Sequence, residues 1–571
     1  MFESKRKKLS DASVSSNAST MRSSNPFLNA AAKIASQTTD TGNGALKLTT
    51  SGSDFVDQFA SITNYRAPRS YSEIDKDMRV LWEQDPKLTT SLTLYIRMIT
   101  RVTKYPDGTK TLTTQRGQGL KHEGIFRMIW IAVNYPDVFW KNIHLFISVG
   151  SWKDIITMLS YDLTYNGWDG RVLDWKKFAD LIIAGLENPE TSELVKKYLP
   201  QIKSRGKCKT VDAEADTAIG KYICSVVFGA ATEDVQKLKN YEAYRKLKSS
   251  GTAHTWQQLI SQERFFDIDF DTVHGRALSQ LVSSKFLSNN NLEDKYEAWI
   301  SAKPIAKFTG YVYELFAPVK EGYVNKELKK YQEDTINKQF YGMLEVAKNG
   351  MKGENPFIVV VDTSSSMTSP VRGLKVSSYD VAKSMALYFS YLLEGKFNKC
   401  WLEFADRCKV NTWVGSNPVD NLKNDRSEAY GSTNFQSVGE LFADFLKEGI
   451  PESEFPKGIL CVSDGCFNRT SSNESNYDRL LQTLKEAGFS KDYVDNFKVV
   501  LWDIPNNFYG GDTTTVFEDF ADRPGLFHMS GLDGSAVAFL MGTEYNATIP
   551  KTSDELFLAA MDQEVLNLII I

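Results

Sequence analysis

The chain has 571 residues, of which 42% are hydrophobic, 24% charged and 12% aromatic. That length exceeds what one hydrophobic core usually supports, and the composition excludes a disordered or fibrous protein. The formal net charge of −4 is unevenly spread, at +4 over residues 1–50, +4 over 51–350 and −12 over 351–571. An acidic rear half suits cations and basic surfaces, whereas the front half tolerates a polyanion on a local basic face.

Residues 1–50 are rich in Ser, Thr, Asn and Ala without periodicity and read as a disordered tail, with Lys5 to Lys8 a solvated charge run. Met1–Ser10 is charged and no apolar segment of export type follows. The most apolar stretch, Gly124 to Trp140, contains Arg127 and Asp137 and is shorter than a membrane span, so it reads as buried helix and no membrane partner is expected.

Residues 51–350 read as helical, with apolar side chains returning every three or four positions. The run Val138 to Ile147 stops near Gly150 and restarts at Trp152, as in two antiparallel helices joined by a tight turn. Similar antiparallel pairs can be drawn through Ala213–Phe228 and Asp271–Leu287, which points to a stacked, HEAT-like helical-repeat array. Arg101 to Lys121 reads as a loop.

Beyond Pro356 the rhythm changes. Phe357–Val361, Cys400–Phe404, Gly458–Val462 and Phe497–Trp502 read as buried strands, and Tyr379–Leu393 and Phe435–Lys447 as helices between them. Continuous β-branched runs alternating with amphipathic helices predict an α/β doubly wound domain over residues 351–545, followed by a helical extension at 546–571. Ligands of such a sheet sit at strand C-termini.

The six cysteines, Cys208, Cys224, Cys400, Cys408, Cys461 and Cys466, form no C-x-x-C pair, and only five histidines accompany them. Neither a disulfide framework nor a zinc site follows, and a reducing, cytoplasmic location fits.

The chemistry lies in the rear half. Asp362-Thr363-Ser364-Ser365-Ser366 follows the first strand, Tyr430 to Phe435 offers the Thr433 hydroxyl before a helix, and Ser463-Asp464-Gly465 ends another strand. Carboxylates and hydroxyls are hard oxygen ligands suited to Mg²⁺, or to Mn²⁺ or Ca²⁺. A phosphotransferase of Asp-x-Asp type would need an acid where Ser364 stands. G-x-x-x-x-G-K-[ST], H-E-x-x-H and G-x-S-x-G are all absent, so no enzyme is expected. His528 and Cys466 read as packing residues.

These three loops resemble the metal-ion-dependent adhesion site (MIDAS) of the von Willebrand factor A family. The resemblance implies a cation held by Asp362, Ser364, Ser366, Thr433 and Asp464. A helical front half followed by this domain is similar to the Ro ribonucleoprotein family, whose helical part is the TROVE module. Phrases that carry the likeness are Gly124 to Trp130, Ile147 to Asp154 and Tyr241 to Lys248. The layout is nearer to plant and viral proteins of the same build than to the animal Ro proteins. In that family the helical repeats curl into a ring that receives single-stranded RNA ends and carries small structured RNA on its outer face.

Expected RNA contacts are Lys203, Arg205, Lys207 and Lys209 in one loop-like stretch, and Lys237, Lys239, Arg245, Lys246 and Lys248 on a helix. Interleaved Tyr241 and Tyr244 would stack on unpaired bases. Two functions follow as expectations. One is a non-enzymatic, Ro-type RNA-binding scaffold with a cation adhesion site. The other is a metal-dependent protein-interaction or assembly component, a viral structural part included, without RNA.

Overall fold

The computed structural model describes residues 38–571 except 41–42, 44, 62–68, 105–110, 204–210, 252–254, 274, 326, 352–356, 372–373, 394, 471–473, 505–516 and 544–547. The front part is rich in helices and the rear holds one six-stranded sheet.

The helices start where the sequence supplies caps. Ser70 and Glu73 form a reciprocal capping box at Tyr71–Gln84, and Asp85 accepts the Leu88 amide at the start of Pro86–Arg97, whose first residue is proline. The apolar stretch Gly124 to Trp140, expected as buried helix, is broken in two: Lys121–Asn134, buried from Glu123 to Ile131, and Pro136–Lys141, with Asn134 to Asp137 exposed at the junction because Pro136 cannot continue the first helix. The turn at Gly150 separates Ile143–Val149 from Trp152–Asn166. A Cβ at Gly150 would lie 2.3 Å from Asp154 Oδ2 and 2.9 Å from the Phe146 carbonyl, so only glycine fits there. Ala213–Phe228, read as a helix pair, lies within the single helix Val211–Phe228, and the segment 271–287 is more broken than its apolar spacing suggests, as a 3₁₀ turn at Phe270–Thr272 and short helices at Gly275–Ser283 and Phe286–Asn289.

The rear sheet comprises β1 (Phe357–Asp362), β2 (Cys400–Phe404), β3 (Cys408–Thr412), β4 (Gly458–Ser463), β5 (Lys498–Asp503) and β6 (Leu526–Ser530). Their order is β6-β5-β4-β1-β2-β3, parallel except for the β2–β3 pair. This is a doubly wound order whose direction switches between β1 and β4, so a crevice opens beyond their C-terminal ends. The edge strand β3 escapes a search for buried runs because its residues are half-buried or exposed.

Both faces of β1 are covered, and its alternation divides the core. Phe357, Val359 and Val361 join a core that continues through the helical half, whereas Ile358 and Val360 join a separate one under the helices Gln436–Lys447 and Asn476–Ala487. The helix Ser378–Leu392 lies against β1 on one side and the helices Val312–Asn325 and Lys330–Lys348 on the other. Burial all round follows from that double contact.

Two expectations are corrected. Residues 101–121 do not form only a loop, since Arg101–Lys104 and Thr111–Gln115 pair as an antiparallel hairpin. Nor is all of 1–50 a tail. Thr38–Asp40 pairs with Leu46–Leu48, and Leu48 exchanges two backbone hydrogen bonds with Phe517. Ala45 is buried in the core under Gln436–Lys447. Too few apolar residues mark this strap for periodicity to reveal it. The expected extension contains the helix Ser553–Met561, and its Phe557 packs on Phe55 and Phe59 near the front of the chain.

Candidate metal centre and nucleic-acid surface

Strand register places the acids. β1 ends at Asp362 and β4 at Ser463, next to Asp464, on either side of the switch point. The Ser364 amide donates to Asp362 Oδ1 at 2.8 Å and the Ser463 hydroxyl to Oδ2 at 2.5 Å. Ser364 and Ser366 hydroxyls stand 3.1 Å apart.

Backbone bonds tie the three loops together. The Tyr430 amide donates to the Thr363 carbonyl and the Ser365 amide to that of Gly431, while the Asn468 amide donates to Thr433. Asp406, which follows β2, accepts the Ser432 amide at 3.0 Å and its hydroxyl at 2.7 Å, and so holds the Thr433 loop. Gly431 has φ +79° and leaves only 2.7 Å from a would-be Cβ to Asp406 Oδ2. A side chain there would push the Thr433 loop away.

Asp362, Ser364, Ser366 and Thr433 are buried and Asp464 is half-buried. Burial, followed by the charge of Asp464, raises the Asp362 carboxyl to about 7. Among the described residues Asp362 makes no ion pair with a basic side chain. The donors are carboxylate and hydroxyl oxygens, the set a hard divalent ion prefers. No group of three or more His, Cys, Asp and Glu side chains suited to a metal occurs among the described residues, so a cation here depends on hydroxyls.

Several neighbours escaped the sequence reading. Asp503 ends β5 opposite Ser463, and burial plus the charge of Asp464 raise it to about 7. Its signal was the same as that of Asp464, an acid closing a buried strand. The strap adds Asn43, whose amide donates to the Cys466 carbonyl at 2.6 Å and to Thr433 Oγ1 at 3.3 Å. Lys47 is 3% exposed and pairs with Glu518. Burial lowers the Lys47 ammonium to about 7, against the pull of Cys461, Cys466 and Asp503. Nothing in the pattern of residues 38–50 announces these long-range contacts.

The basic helix is Asp234–Ser250. Lys237 pairs with Asp234 and Lys246 with Glu242, both at the surface. Lys239 and Arg245 are exposed and Tyr241 is half-buried. Tyr244 is fully buried and its hydroxyl donates to the Pro200 carbonyl, so its ring offers no face to a base and the stacking expectation fails there. Lys248 donates to the carbonyls of Lys197 and Leu199, at the end of the helix Ser192–Tyr198, and fastens two helices instead of facing solvent phosphate. Lys203 is half-buried; Arg205, Lys207 and Lys209 lie outside the described residues.

No family profile matches the sequence, and no curated protein matches it. Among solved structures, the crystal structure of the Ro (RSR) protein of Deinococcus radiodurans is similar at 12% identity and a TM-score of 0.36, over 89% of this chain and 99% of that one.

Proposed function

We propose that this protein is a non-enzymatic, Ro-type scaffold. Its α/β domain, of von Willebrand factor A type, holds a divalent cation, and its helical half receives small structured or single-stranded RNA. The observation that carries the cation site is the interlocking of the three loops at the switch point, with Asp362, Ser364, Ser366, Thr433 and Asp464 the residues that would hold Mg²⁺ or a similar ion. A bound cation there would keep a coordination position for a partner's carboxylate.

Two neighbouring groups of catalytic type support a binding role instead. Burial and Asp464 push the Cys466 thiol well up, which suppresses the thiolate a nucleophile requires. The His528 ring is buried and its Nε2 accepts the Glu518 amide.

The test of the cation site is thermal unfolding with added Mg²⁺ or Mn²⁺. An ion at about 100 times its dissociation constant adds about 2.7 kcal/mol of stability, so the midpoint rises for the natural chain and stays put for Asp464→Asn. No rise in the natural chain overturns the site. For RNA, a salt titration with single-stranded and hairpin probes is the measurement, and absence of binding at low salt ends that part of the reading.

The alternative without RNA, a metal-dependent assembly component, draws support from the charge cancellation on Asp234–Ser250. It predicts partner capture that is lost in EDTA while RNA is ignored.

A further inference from the structure

Four basic side chains from four separate elements lie around one carboxylate, Asp154, and two of them, Arg97 and Lys121, pair with it. Arg97 ends the helix Pro86–Arg97, Arg101 opens the hairpin, Lys121 opens Lys121–Asn134, and Lys153 lies in the first turn of Trp152–Asn166. Asp154 takes Arg97 Nη2 at 2.6 Å and lies 3.7 Å from the Lys121 ammonium. Arg101 spends a donor on the carbonyls of Ser148 and Gly150 and meets no carboxylate partner among the described residues. Lys153 is exposed and likewise makes no ion pair among them.

Arg97 is buried and its charge is met by Asp154, so the excess is that of Arg101, Lys121 and Lys153. It lies beside the N-terminus of the 14-residue helix Lys121–Asn134, which no side chain caps and whose free amides add to it, whereas Trp152–Asn166 is closed by a Ser151–Asp154 capping box. The strain is visible in the groups themselves. Burial, Arg97 and Lys neighbours hold Arg101, Lys121 and His122 below their usual values.

Aromatic rings continue the basic surface. His122 Nδ1 meets the Tyr161 hydroxyl, Tyr161 stacks on Phe126 with centroids 4.8 Å apart, and Tyr165 packs edge-on against Tyr161. Tyr165 is 48% exposed, far more than a core tyrosine needs. A cationic cluster followed by an open tyrosine fits a strand of nucleotides, with phosphates on the cations and a base on the ring. An acidic peptide would use the charges and leave the ring unexplained.

We infer that the surface formed by Arg101, Lys121, Lys153, Tyr161 and Tyr165 is a binding site for single-stranded RNA, in place of the helix Asp234–Ser250. This rests on the proposed RNA-binding function and gives it a location. The site draws its charge from three elements, so a helical half of only +4 overall concentrates cations where they act together.

Fluorescence anisotropy with labelled single-stranded oligouridine tests it on the full chain. Lys121→Gln with Lys153→Gln is expected to weaken binding at least tenfold and to lower the slope against log salt by about 1.4, for two single-strand phosphate contacts. Tyr165→Ala, at an exposed position, is expected to weaken binding roughly tenfold with the slope unchanged. Arg245→Gln with Lys246→Gln is expected to change little. If the natural chain binds no RNA at low salt, this site and the proposed RNA function both fail. If it binds and only the Arg245 and Lys246 variant loses affinity, this site fails while the function stands. If polyglutamate of equal charge competes as well as RNA, or Tyr165→Ala has no effect, the surface is a general anion face and the inference is overturned.

Discussion

His528 sits fully buried on β6, where its Nε2 accepts the Glu518 amide at 3.2 Å. Burial, assisted by Lys47, lowers the imidazolium to about 3 from a usual 6.5. The unfolded chain therefore takes up this proton first as pH falls, and the native state loses stability between pH 6.5 and 3, by up to about 1.4 kcal/mol per pH unit. Asp362 and Asp503 act oppositely: their raised values favour the protonated native form, so they add stability as pH falls through 7 toward 3.8. The total curve mixes these effects, but a difference isolates the histidine. His528→Gln keeps an acceptor for the Glu518 amide and carries no titrating proton. Denaturation midpoints at pH 7, 5.5 and 4.5 should show the variant losing less stability than the natural chain on acidification; parallel curves would refute the assignment. At this scale the sequence displayed the five residues proposed to hold a cation because each closes a strand or opens a turn. It did not display Lys47, Glu518 or Asn43, whose roles exist only once distant segments meet, nor the burial of Tyr244, which periodicity in a charged helix cannot separate from exposure.

The strap of residues 38–50 is the element in which local sequence and structure diverge most. Its strands are three residues each, and it is held by the Leu48–Phe517 bridge and by Lys47 inside the domain. The Lys47–Glu518 pair has side chains 2% and 1% exposed, so removing one partner strands a buried charge. Lys47→Met is expected to cost about 3 kcal/mol in urea unfolding, and Lys47→Met with Glu518→Leu to recover most of that. A cost below about 0.5 kcal/mol for the single variant would mean the strap is not held as described. The sheet, by contrast, was legible strand by strand. Four of its six strands are buried runs within one residue of the expected bounds, because a covered parallel strand must be apolar throughout. β3 and β6 were missed for opposite reasons. Half of β3 faces solvent, while β6 carries His528 and Ser530 within an otherwise apolar core run.

The sequence reads as a helical half and an α/β half, and among the described residues the largest core runs through both, from Phe55 through β1 to Ile569. Polar contacts reinforce it at positions far apart in sequence. Arg116 and Gln563 exchange hydrogen bonds of 2.8 and 2.9 Å, and Asn142 and Ile570 exchange two of 2.9 and 2.6 Å. Both side chains are buried, so truncation leaves main-chain groups without partners, at about 2 kcal/mol each. Because each contact joins the helical half to the C-terminal segment, the loss falls on the coupling between halves more than on either core. Calorimetry of the natural chain should give one cooperative transition. Asn142→Ala combined with Gln563→Ala should lower the first midpoint and split the transition in two, with the divalent-cation response confined to the α/β component. Two transitions already present in the natural chain would show that the shared core does not bind the halves into one folding unit, and the proposed cation and RNA sites would then have no structural route by which occupancy of one could alter the other.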